Sequence, residues 1–156
     1  NAFNPRAKKV KIILYDSYVR AIRNSVGSRI FRNLYANIRG KKLDIARNGR
    51  LSCDIFVSSI LLLYWLIDQI HGTVDDCVSQ LEHYGWYNVK KPRKGAILVW
   101  EAKKSKNGEI HKHIGFYMGS SYAISHVSKK RVPAIHHWTY HGKRKVEKIF
   151  WNKKFM

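Results

Sequence analysis

The sequence is poor in acidic residues and in cysteine, and both shortages narrow what the protein can be. Its 156 residues contain 10 Asp and Glu against 30 Lys and Arg, which leaves a formal net charge of +20 at pH 7. Such a charge favours polyanionic partners, such as nucleic acid, an anionic membrane or an acidic cell-wall polymer. The two cysteines, Cys53 and Cys77, are too few for a disulfide framework.

Long apolar runs are also missing, although the chain is rich enough in apolar residues to fold. No stretch reaches the roughly 18 to 20 apolar residues that span a bilayer, so we expect no transmembrane segment. Hydrophobic residues make up 45% of the chain, with five Trp, nine Tyr and six Phe, which excludes a disordered protein. We therefore predict a single domain over residues 1–156, with Asn1 and Ala2 interpreted as the remnant of a tag-cleavage site.

Apolar periodicity predicts helices in the first half of the chain. Residues 15–38 repeat apolar side chains every three or four positions, typical of an amphipathic helix, with a break near Gly27. Residues 40–52 are polar and predict a loop, or a partly formed helix followed by a loop. The nearly continuous apolar run 55–67 predicts a helix buried inside the domain. Thr73 and Gly85 have the start and stop signals of another helix.

Short alternating segments predict strands in the second half. Turn residues separate them, which favours an antiparallel meander. Helices followed by strands predict an α+β domain, in which N-terminal helices pack on an antiparallel sheet of about five strands. The predicted strands are 96–100, 113–118, 122–127, 134–140 and 146–151.

Cys53 is the strongest candidate for a catalytic residue, because it begins the buried helix. Unpaired backbone N–H groups and the positive end of the helix dipole lie there, and both favour the nucleophilic thiolate. Cys77 falls inside the next helix, away from a dipole end. We therefore interpret Cys77 as an inert core residue.

A cysteine nucleophile needs a base, and the strands offer three histidines. His111 and His113 differ by two positions, so both project from one face of a strand. A hairpin at residues 119–121 would place His126 beside His113, where it could orient the imidazole ring. The pattern predicts a catalytic set of Cys53, His113 and His126, with Ser125 or a later histidine as the alternative third member.

Four segments resemble the NlpC-type cell-wall cysteine peptidases, a papain-like superfamily related to the cysteine- and histidine-dependent amidohydrolases. The sequence at 52–57 resembles the nucleophile motif, although the family usually has Asp before the Cys and Ser-Gly after it. The segments are Ser-Cys-Asp-Ile-Phe-Val at 52–57, Lys-Gly-Ala-Ile-Leu-Val-Trp at 94–100, His-Ile-Gly-Phe-Tyr-Met-Gly at 113–119 and Ile-Ser-His-Val-Ser at 124–128.

The resemblance implies a papain-like fold and a thiol mechanism. Cys53 would attack an amide carbonyl, His113 would transfer the proton and His126 would orient the ring, with no metal or cofactor required. It also implies a peptide of bacterial peptidoglycan as the substrate. We accordingly expect a secreted or cell-surface protein, whose signal or anchor would lie in a longer chain outside this sequence, and leave a cytoplasmic location open.

Three other interpretations of the sequence remain open. His111, His113, His126 and Cys53 could supply the ligands of a zinc site. Aromatic residues mixed with basic ones at 136–145 are also typical of a nucleic-acid-binding domain. A papain-like domain without catalysis could instead bind the cell wall.

Overall fold

The computed structural model describes residues 9–156, so Asn1 and Ala2 lie outside the described part of the chain. Its three α-helices are α1 (Leu14–Asn24), α2 (Cys53–Leu63) and α3 (Val74–Leu81). Its eight strands are β1 (Tyr35–Ile38), β2 (Lys41–Asp44), β3 (Trp86–Asn88), β4 (Ile97–Lys104), β5 (Ile110–Gly119), β6 (Tyr122–Val127), β7 (Val132–His137) and β8 (Val146–Asn152).

The predicted fold class, a papain-like α+β domain with helices on about five strands, is wrong. The protein is mostly β, with a two-stranded and a six-stranded antiparallel sheet and three short helices of 11, 11 and 8 residues. The predicted helix at 15–38 ends at Asn24, and its last part forms a hairpin with β2 instead. Arg39 and Gly40 form the turn with φ of 51° and 80°, values that end a helix and suit a tight hairpin.

The six-stranded sheet has the order β3-β8-β4-β5-β6-β7. Strands β4 to β7 form the predicted meander, while β8 returns across the sheet to pair with the other side of β4. Strand β3 then extends the sheet beyond β8. All five strands predicted from alternation are present; the strand at 122–127 has the predicted ends, and the other four have shifted ends.

The two faces of this sheet are covered differently. Helix α2 packs on one face, where Phe56 lies edge-on to Phe116 of β5 at 5.4 Å between ring centroids. The other face has a smaller apolar cluster built on Leu98, Trp100 and Ala123. Helix α2 is buried from Asp54 to Ser58 and again at Ile60 and Leu61, as its apolar composition predicts. Within residues 9–156, none of the helices combines the length and the apolar character needed to cross a membrane.

Candidate active site

A cleft of about 820 Å³ opens where the first turn of α2 meets the ends of β5 and β6. Cys53, His113 and His126 all line it, together with Tyr140 and Arg144 from the segment after β7. The volume is in the range of small-molecule and peptide binding sites. The cleft thus brings the three predicted site residues to one surface.

Cys53 is the first residue of α2 and stays partly exposed in this cleft. Its Sγ lies 3.9 Å from Oδ1 of the neighbouring Asp54. Burial, and then the charge of Asp54, raise the pKa of the thiol to about 12, while the N–H groups of Ile114 and Asp54 and the charge of Arg144 act in the opposite direction. The helix start alone predicts a thiolate, but desolvation outweighs it, and Cys53 rests as a neutral thiol.

His113 lies on β5 directly opposite Trp100 of β4, and their ring centroids are 5.0 Å apart. Its Nε2 is 2.9 Å from Oγ of Ser125 on β6. Burial, followed by the charges of Arg144, His136 and His126, lowers the pKa of His113 to about 3. His113 is therefore a neutral imidazole at rest.

The hydrogen-bond chain beyond His113 has only one consistent direction. Nδ1 of His136 is 2.8 Å from the main-chain oxygen of His137, which can only accept, so this nitrogen carries the hydrogen. Nε2 of a neutral His136 is then an acceptor, 2.6 Å from Oγ of Ser125. Ser125 must donate to it and can accept from Nε2–H of His113. The remaining nitrogen of His113, Nδ1, is left unprotonated.

Tyr140 supports the far end of this chain. Its ring stacks on His136 with centroids 4.3 Å apart, and its hydroxyl is 3.3 Å from Nε2 of His136. We name the connected side chains of His113, Ser125 and His136 the relay. The relay joins β5, β6 and β7 on the face of the sheet that α2 does not cover.

Gly115 makes room for the relay. A Cβ at this position would lie 2.7 Å from Cβ of Ser125 and 2.9 Å from the main-chain oxygen of Ile124. Both distances are too short for any side chain, so glycine allows Ser125 to sit between the two imidazoles.

His126 occupies the opposite face. It is 2% exposed, and its ring centroid is 6.4 Å from those of both Phe31 and Phe56. Neither ring nitrogen has a hydrogen-bond partner among residues 9–156. Ser125, rather than His126, is therefore the residue in contact with the ring of His113.

Basic residues dominate the walls of the cleft. Nine of its lining residues are Lys or Arg, and Glu109 is the one acidic residue lining it in the described chain. Glu109 is itself engaged: both carboxylate oxygens accept from Nη1 of Arg47, at 3.1 and 2.8 Å, and His111 Nε2 is 2.8 Å away. The cleft therefore presents a strong positive field to a ligand.

The second cysteine lies outside the cleft, and the described residues contain no group of metal ligands. Cys77 is buried in α3, where burial raises the pKa of its thiol to about 12. No three His, Cys, Asp or Glu side chains are grouped to hold a metal ion anywhere in residues 9–156. The described residues therefore offer no set of ligands for the zinc site that the sequence suggested.

The sequence pattern offered a later histidine as an alternative third member but did not single out His136. The register of β6 and β7 places His136 opposite Ala123, on the same face as Ser125. Only this pairing brings it to His113. No local signal in residues 134–140 reveals it.

Comparison of the chain with protein-family models gives no match, and comparison with curated proteins gives no significant similarity.

Proposed function

We propose that the protein is a cysteine hydrolase that cleaves amide bonds, with Cys53 as nucleophile and His113 as base. The observation that carries the proposal is that His113, the first member of the relay, and the partly exposed Cys53 line the same cleft. A base whose second nitrogen is held by a hydrogen-bonded partner is the recurring arrangement of nucleophilic hydrolases.

The protonation states suggest general-base chemistry rather than a resting ion pair. Nδ1 of His113 takes the thiol proton as sulfur attacks the amide carbonyl carbon, and the backbone N–H of Cys53 at the helix start helps to stabilise the oxyanion. The imidazolium then gives this proton to the leaving amine, and a thioester remains on Cys53. Water, deprotonated by His113, hydrolyses the thioester and restores the thiol.

The relay supports both halves of this cycle. When His113 becomes an imidazolium, its Nε2–H still donates to Ser125, and Ser125 still donates to His136. The acceptor chain ends on the main-chain oxygen of His137. The relay thus holds the ring of His113 in the orientation and tautomer that leave its Nδ1 free for the thiol proton.

Bacterial peptidoglycan peptides are the substrate that we propose. The resemblance of residues 50–130 to NlpC-type peptidases supplies this choice, and the positive cleft is compatible with an anionic wall polymer. A secreted or cell-surface protein would meet this substrate.

The test measures new amino groups released from purified peptidoglycan. We expect Cys53→Ala and His113→Ala each to abolish release, and Cys77→Ala to retain it, since Cys77 is buried outside the cleft. Circular dichroism and thermal unfolding check that all three variants are folded. Full activity in folded Cys53→Ala or His113→Ala would refute the proposal.

Nucleic-acid binding through the same basic cleft is the second candidate, favoured by its nine Lys and Arg residues. Fluorescence anisotropy with a labelled oligonucleotide, between about 50 and 200 mM salt, tests it. Binding that survives the higher salt and depends on base identity would favour this function. Weak binding that disappears with salt would be the non-specific attraction expected of any protein with charge +20.

A further inference from the structure

Arg144 is a partly buried cation of the cleft that forms no salt bridge with a carboxylate within residues 9–156. Burial lowers the pKa of its guanidinium, and the charges of Tyr140, Cys53 and Glu101 act in the opposite direction. Its Nε donates to the main-chain oxygen of Glu101 and its Nη2 to that of His111, both at 3.0 Å. The carboxylate of Glu101 is used elsewhere, since its Oε1 accepts from N–H of Lys145 at 3.0 Å.

The two carbonyl contacts fix the guanidinium but do not cancel its charge. Nη1 has no hydrogen-bond partner in the described chain, which leaves one end of the fork open. A partly buried charge that forms no direct ion pair loses part of its hydration, and a ligand that brings an anion to the open Nη1 offsets this cost. A guanidinium whose orientation is already fixed suits a carboxylate particularly well.

Arg144 is also close to the reacting sulfur. Burial and Asp54 raise the pKa of Cys53, and the Arg144 charge opposes them, so the two side chains are within electrostatic reach. Both line the same cleft. An anion held by Arg144 would therefore lie beside the bond that Cys53 attacks.

We propose that Arg144 is a specificity-determining residue that binds a carboxylate of the substrate next to the scissile amide. The inference rests on the proposed function of this cleft and names the class of substrate: amides with a neighbouring carboxylate, in preference to neutral ones.

Such binding would also assist catalysis. The positive charge of Arg144 disfavours the imidazolium form of His113. A substrate carboxylate on Arg144 compensates this repulsion when His113 takes the thiol proton. Binding of an acidic substrate would thereby make His113 a stronger base.

Iodoacetate and iodoacetamide test the proposal without requiring a substrate. Both alkylate the Cys53 thiolate by displacing iodide, and they differ in a carboxylate against a neutral amide. The measurement is the ratio of the iodoacetate rate to the iodoacetamide rate at Cys53, resolved by peptide mass. The ratio cancels changes in thiolate fraction, which affect both reagents equally.

We expect Arg144→Gln to lower this ratio by about tenfold or more, the size of a charge-assisted hydrogen bond. Arg144→Lys keeps the charge without the fork and should retain part of the preference. Lys143→Gln is the matched control, because it removes one exposed positive charge of the cleft from the adjacent residue. An unchanged ratio in Arg144→Gln, or an equal loss in Lys143→Gln, would overturn the proposal.

Wild-type protein provides a second measurement, in case Arg144→Gln does not fold. Succinate should protect Cys53 from iodoacetamide, and succinamide at the same concentration and ionic strength should not. Equal protection by both compounds, or by neither, would count against the carboxylate site. These rates do not depend on amide hydrolysis, so failure here would leave the hydrolase proposal standing, and the peptidoglycan assay can fail independently.

Discussion

The half-buried His113 and the buried His126 both border the cleft, but they lie on opposite faces of the six-stranded sheet and have opposite surroundings. His113 is hydrogen-bonded to Ser125, whereas His126 packs against Phe31 and Phe56 with both nitrogens unpaired among the described residues. Burial nevertheless lowers the pKa of both, to about 3 and about 4. A depressed pKa therefore reports burial, and only the hydrogen-bond pattern separates a histidine whose ring orientation is fixed from one that packs in the core.

The largest expected effect comes from the unpaired histidine and concerns stability. The folded pKa of His126, about 4, is below its unfolded value of 6.5, so its contribution to stability is complete above pH 6.5 and is lost as the pH falls towards 4. In His126→Leu, the fall in unfolding free energy between pH 7 and pH 4 should be smaller by about 3 kcal/mol. Urea unfolding at both pH values measures this, and an unchanged fall would mean that His126 is not desolvated.

The second prediction concerns His113 and the relay, on the other face of the sheet, and its measure is activity. Ser125→Ala breaks the link between His113 and His136, so we expect about a 100-fold lower kcat/KM with peptidoglycan peptides. His126→Leu should stay within about threefold of the wild type, because His126 makes no hydrogen bond to His113. If the two variants lose activity equally, the distinction between the histidines is wrong.

A third variant tests the close packing at Gly115, which determines the position of Ser125. Gly115→Ala places a methyl group 2.7 Å from Cβ of Ser125 and 2.9 Å from a main-chain oxygen, so Ser125 and the backbone of β6 must move. We expect a loss of about 1 to 3 kcal/mol in stability, together with reduced activity. Gly108→Ala is the control, since a Cβ there meets no described atom within 4 Å, although its positive φ carries a small cost of its own. Full activity in Gly115→Ala would show that Ser125 does not need its observed position.

The smallest effect extends the comparison from the histidines to the thiol. Burial raises the pKa of Asp54 to about 6, so it is charged at pH 8, where it raises the pKa of Cys53. Asp54→Asn removes that charge, and the iodoacetamide rate at Cys53 should rise about 3- to 10-fold at pH 8. A rate that is unchanged or slower would show that the carboxylate does not act on the sulfur.

Local signals in the sequence account for the helices around the thiol. Thr73 caps α3 by accepting from the N–H of Asp76, and Gly85 has the left-handed conformation expected after a helix. The apolar run after Cys53 likewise predicted α2. These features depend on neighbours within a few residues, which a sequence displays directly.

The errors arise where distant residues decide the structure. Ile38 continues the helical spacing of α1 but belongs to a hairpin, and β3 has only three residues, too few for alternation to show. The partner of His113 depends on the register between β6 and β7. The state of Cys53 depends on desolvation by the surrounding fold, which outweighs the local helix dipole.

The dispersal of the relay along the chain has a consequence for biosynthesis. Cys53 begins a helix in the first half of the sequence, whereas His113, Ser125 and His136 belong to three later strands. A nascent chain emerging from the ribosome would expose its thiol long before β7 could pair with β6. Until that pairing forms, His113 lacks the hydrogen-bonded partners that fix its tautomer in the folded protein. The relay is therefore complete only after most of the chain has been synthesised and folded.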